Sequence, residues 1–79
     1  MQYHFNIRHD GQTAIDDDPQ GAEFPDVQAA RSEALTSIRE ILADALESGE
    51  DTREGQMIVK DSSGETVLTI PFSMRVRLG

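Results

Sequence analysis

The chain has no cysteine and no tryptophan, few aromatic residues, and no apolar run of membrane-spanning length among its 79 residues. Without cysteine there is no disulfide staple, no thiol nucleophile and no cysteine-based zinc site, a composition that suits a reducing compartment. A membrane span needs about 18 or more consecutive apolar residues, and a secretory leader needs a shorter apolar core; neither pattern occurs. A soluble, cytoplasmic protein is expected. Basic residues are also scarce: 7 Lys and Arg stand against 15 Asp and Glu, for a net charge of -8. That balance repels a phosphate backbone, so neither nucleic acid nor membrane is an expected partner.

A chain this short supports one small domain that buries only about 60% of its unfolded surface. Small domains commonly add a metal, a disulfide or a second subunit, and with disulfides excluded a partner is the economical staple. The charge is uneven. Residues 1–26 hold six acids and Arg8 alone, whereas residues 73–79 hold Arg75 and Arg77 and no acid. A basic tail on an acidic body can pair across a dimer.

From Gln2 to Arg8, Tyr3, Phe5 and Ile7 alternate with His4, Asn6 and Arg8, the pattern of a half-buried strand. Turn residues His9 to Gln12 and an extended Thr13 to Asp16 complete a first hairpin, and Asp16 to Pro25 reads as a surface loop into which Phe24 tucks. Asp26 then caps a helix over 27–47. Its apolar arc holds Val27, Ala30, Ala34, Leu35, Ile38, Ile41, Leu42, Ala45 and Leu46, while Glu33, Glu40, Asp44 and Glu47 lie opposite. Gly49 ends the helix, and the polar stretch through Gly55 reads as a loop. Met57 to Lys60, a turn at Asp61 to Gly64, and Thr66 to Phe72 form a second hairpin; Pro71 belongs at a strand end or an edge.

The expected fold is α+β, a two-layer ββαββ domain over residues 1–72 with a C-terminal tail over 73–79. One antiparallel four-stranded sheet carries a single helix on one face. Tyr3, Phe5, Ile7, Ile15, Met57, Val59, Leu68, Ile70 and Phe72 point toward the helix, and His4, Asn6, Arg8, Ile58, Lys60, Val67 and Thr69 point away.

No catalytic, cofactor-binding or metal-binding residue is assigned. Asp16, Asp18, Gln20 and Gly21 match positions one, three, five and six of a calcium-binding loop, but position twelve is Val27 where a bidentate Glu is needed. An ordinary acidic turn is the better reading. His4 and His9 lack the spacing of a metal pair, and no Gly-x-Ser-x-Gly elbow accompanies the serines. The acidic helix stripe reads as a solvated face. Arg31 lies within the apolar arc, so its stem covers the sheet edge or its head pairs with Asp18 or Glu23.

Tyr3, His4, Phe5, Asn6, Arg8, Asp10 and Gly11 open a pattern that continues through Gly21, Glu23, Phe24, Pro25 and Asp26, then Ala29, Ala30, Arg31, Glu33 and Ala34. It closes on Val59, Asp61, Gly64, Leu68, Ile70, Pro71 and Phe72. In this the chain resembles a family of short uncharacterised alphaproteobacterial proteins, frequent in rhizobia and known as a domain of unknown function. The resemblance implies a fold more than an activity. Phe24, Pro25, Asp26, Ala30, Glu33, Ala34 and Leu35 also stand in the order found in HicB-type antitoxin domains, without the glycine-rich segment of that family. The function expected from the residues is that of a non-catalytic interaction module, self-associating or bound to another protein. The alternative is an acidic antitoxin-like regulator that neutralises a basic partner.

Overall fold

A computed structural model describes residues 1–9, 15–16 and 20–77. The elements are β1 (Gln2–His9), β2 (Ile15–Asp16), β3 (Ala22–Glu23), α1 (Val27–Glu47), β4 (Thr52–Asp61) and β5 (Thr66–Arg75). All pairings are antiparallel, in the order β2-β1-β4-β5, with β3 also on β1. β2 pairs with Ile7 and Arg8 and β3 with Gln2 and Tyr3, so the two share one edge position at opposite ends of β1. Among the described residues the sheet therefore has four strand positions, one of them broken, and with the single helix the fold is α+β as expected.

The helix begins and ends as its sequence demands. Asp26 is extended, and its carboxylate accepts a 2.9 Å hydrogen bond from the Ala29 amide, satisfying one donor of the first turn. At the other end Gly49 has φ +88°, and the Gly49 and Glu50 amides donate to the Leu46 and Ala45 carbonyls. That crossed pair is a Schellman cap, which needs a left-handed residue and so favours glycine. Ala30, Ala34 and Ile38 face the sheet, where they meet Tyr3, Met57, Val59 and Phe72 in one buried cluster. Two alanines on the contact line let the backbone lie close to β4, and Ile38 supplies the volume. Ile41 and Leu42 are half-buried and Leu46 is exposed, so the apolar arc is narrower than the sequence pattern suggests.

The second hairpin is longer than expected at its open end, on both strands. Thr52 to Gly55 are strand, not loop, because they pair with Arg75 to Phe72. The assigned tail correspondingly starts inside the strand: Ser73 to Arg75 continue β5, and the Val76 amide donates to the Asp51 carbonyl at 2.7 Å. Thr52 to Gly55 carry no apolar residue to signal a strand, since cross-strand hydrogen bonds hold them, whereas Met74 and Val76 continue the alternation of Phe72 and were the available sign of the β5 extension. The surface loop before the helix is likewise not wholly irregular, because Ala22 and Glu23 pair with β1. Phe24 packs edge-on against Phe5, with ring centroids 5.7 Å apart and planes at 77°.

The turn joining β4 to β5 is held by one carboxylate. The Asp61 side chain accepts from the Ser63 hydroxyl at 2.6 Å, the Ser63 amide at 2.9 Å and the Glu65 amide at 3.1 Å. Gly64, at φ +88°, donates to the Asp61 carbonyl, giving a β-turn followed by a left-handed glycine. The Ser63 hydroxyl foremost, then the Glu65 amide, holds the Asp61 carboxyl below its ordinary pKa.

Among the described residues no helix is long and apolar enough to cross a membrane.

Candidate functional site

Two features at the β5 side of the sheet can serve recognition. The first is the free edge of β5. The Val76–Asp51 bond makes that pair a hydrogen-bonded one, and antiparallel ladders alternate, so Met74, Phe72, Ile70 and Leu68 bond to β4. Arg75, Ser73, Pro71 and Thr69 occupy the intervening positions and turn their backbone groups away from β4. Pro71 therefore sits where its missing N–H takes nothing from the ladder. Among the described residues no strand pairs with this outward side. A register shift at Val59/Lys60 leaves Val67 as a bulge, so the regular part of the edge runs from Leu68 onward.

From Thr66 to Met74 the strand carries no charge, in a chain that is 28% charged. On its helix-facing side Leu68, Ile70, Phe72, Met74 and Val76 alternate, and only Phe72 is buried. The helix covers the β4 side of this apolar strip and leaves its outer margin half-exposed.

The second feature is an open, polar cleft at the end of the sheet, lined by His9, Thr52, Glu54, Ser73, Met74 and Arg75 together with Glu50 and Arg53. Arg53 makes a forked pair with Glu50, Nε to Oε1 at 3.2 Å and Nη2 to Oε2 at 3.0 Å. Because both groups are partly exposed, the pair is worth at most about 1 kcal/mol and chiefly fixes the guanidinium plane. A smaller hollow under the C-terminal end of α1 shares His9, Glu50 and Arg53. Sequence periodicity gave no sign of this cleft, since its residues come from three strand ends and the α1–β4 connection.

The residues weighed from sequence are dispersed. His4 is half-buried with its ring against Gly21, where φ is +69° and a side chain would come within 2.8 Å of the Tyr3 carbonyl and 2.9 Å of the His4 ring. His9 lines the cleft at the opposite end of β1, so the two histidines do not meet. Asp18 and the Asp16 side chain lie outside the described residues, as does the expected turn over 10–12. Glu33, Glu40, Asp44 and Glu47 are all exposed along α1. Arg31 is exposed, and among the described residues no ion pair holds it; Glu23 pairs instead with the Met1 ammonium at 3.1 Å. Asn6, placed on the outer sheet face, is 5% exposed, so that face is not open along its whole length. Among the described residues no three His, Asp or Glu side chains cluster as a metal site.

The family model described as domain of unknown function DUF6894 matches residues 2–73. The chain belongs to this family. The match takes in every element of the DUF6894 fold described above, from β1 to all but the last two residues of β5. No curated protein and no solved structure matches the chain.

Proposed function

We propose that the protein is a small, cytoplasmic, non-catalytic interaction module that engages protein through the free margin of β5. The observation that carries this reading is the uncharged edge strand, with outward backbone groups and a half-exposed apolar strip beside it. Main-chain groups on such an edge supply affinity and alternate side chains supply specificity, as in other strand-addition complexes. Polar alternation elsewhere on the sheet and the net charge of -8 keep the remaining surface soluble.

The test is affinity capture of the tagged protein from its native lysate, quantified against a Thr69→Pro variant. Thr69 turns its amide outward, so proline there removes an edge donor and spares the β4 ladder. Proteins captured by the native chain and lost with the variant support the module. Equal recovery by both would refute the edge.

A second reading has its own support. The exposed acidic row Glu33, Glu40, Asp44 and Glu47 suits an antitoxin-like regulator that masks a basic protein, in keeping with the order of residues shared with HicB-type domains. Binding through that row would weaken steeply with added salt and would be indifferent to Thr69→Pro.

A further inference from the structure

We propose that the occupant of the β5 edge is a second copy of the chain, paired antiparallel about a two-fold axis at Phe72; this rests on the edge being the docking surface. Only antiparallel registers that bring outward positions opposite outward positions can form hydrogen bonds. Centring the regular segment on Phe72 does so. Thr69 of each copy then exchanges both bonds with the partner's Arg75, and Pro71 accepts one bond from the partner's Ser73.

On the helix-facing side the same register brings Leu68 against the partner's Val76, Ile70 against the partner's Met74, and the two Phe72 side chains together. Four of these five residues are only half-buried in the single chain, so the pairing covers the apolar strip. Charge agrees with the direction. Antiparallel pairing points the basic end of one copy toward the acidic turn of the other, with Arg77 opposite Val67 and so two residues from Glu65. A parallel arrangement would bring Arg75 and Arg77 of both copies together, which like charge opposes.

The assembly also closes. In the two-fold dimer both regular edges are consumed, and the outer edges that remain are the broken β2/β3 positions, each paired to β1 over two of the described residues. An isologous contact of this kind stops at two copies.

The experiment is sedimentation velocity on the full chain across a wide concentration range, for the native protein and two sets of variants, with circular dichroism to confirm folding. The native chain should sediment at twice the 8.7 kDa mass. Ser73→Pro removes the remaining hydrogen bond of its pair on both sides of the axis and leaves the β4 ladder intact, so the dissociation constant should rise roughly tenfold to hundredfold. Replacing Arg75 and Arg77 by Glu should also weaken the dimer, and adding Glu65→Arg to that variant should restore part of the loss. A monomer at every concentration overturns the proposal; if that monomer still captures an edge-dependent protein from lysate, the module reading survives. A dimer untouched by Ser73→Pro overturns the edge as the interface, and the absence of any charge effect overturns the register.

Discussion

Gly55 is the position where one added carbon has the most legible consequence. It pairs with His9 on β1 and with Phe72 on β5, and it has no left-handed φ to protect. A Cβ built there would lie 2.6 Å from the Arg8 carbonyl oxygen and 2.8 Å from Phe72 Cζ. Unstrained contacts between carbons lie at about 3.5 to 4.0 Å, so both neighbours must give, and the first is backbone fixed in a central strand. Overpacking of this kind costs about 1 to 3 kcal/mol. The clash with fixed backbone places the cost in the upper half of that range, about 2 to 3 kcal/mol, and alanine recovers about 0.4 to 1 kcal/mol by reducing the freedom of the unfolded chain, which leaves a net loss of about 1 to 2.5 kcal/mol for Gly55→Ala. In urea unfolding followed by far-UV circular dichroism, with a slope of about 1 kcal/mol per molar, the midpoint should fall by about 1 to 2.5 M. Adding Phe72→Leu should recover only part of the loss, because the Arg8 carbonyl remains, and the two substitutions should be non-additive. An unchanged or higher midpoint for Gly55→Ala would refute the reasoning.

Ile38→Ala should cost about 2 to 5 kcal/mol, and Leu42→Ala should fall below that range, because Ile38 is 6% exposed and Leu42 only half-buried; paired urea titrations check the ordering. Acid should weaken the β4–β5 turn. The Asp61 carboxyl titrates below its unfolded value, so its contribution is fully present above about pH 4 and is lost as pH falls through the depressed folded value. Asp61→Asn should flatten that part of the acid limb of a thermal-stability profile, and an unchanged limb would show that the turn plays no part in it.

Much of this architecture was legible because local chemistry and long-range packing agree. The helix runs from Val27 to Glu47 where the Asp26 cap and the Gly49 stop place it, and the turn at Asp61 to Gly64 sits where aspartate and glycine allow a tight reversal. Alternation placed Tyr3, Met57, Val59 and Phe72 in the core. Most of the misses share a cause. Thr52 to Gly55 and the Ala22–Glu23 pair are strand only because distant residues supply their hydrogen bonds, and polar residues at a sheet end carry no periodic signal of that; Ser73 to Arg75 did carry one, in the alternation of Phe72, Met74 and Val76. The burial of Asn6 and the Arg53–Glu50 fork were illegible for a related reason, since a polar side chain advertises neither its depth nor its partner. Family membership adds a fold-wide match over residues 2–73 and no chemistry of its own.

Pro71 has a consequence for the chain before it folds. Ordered cross-β stacks are seeded by stretches of about six or seven β-prone, uncharged residues without proline. Between Glu65 and Arg75 the sequence offers Thr66 to Ile70 and then Phe72 to Met74, runs of five and three residues with Pro71 between them. A single imino acid thus keeps either run short of a fibril-forming segment while taking no hydrogen bond from the native hairpin. With Pro71 replaced by threonine the same stretch becomes nine uncharged residues without interruption, and a nascent or heat-unfolded population would acquire an amyloid nucleus that the native sequence withholds.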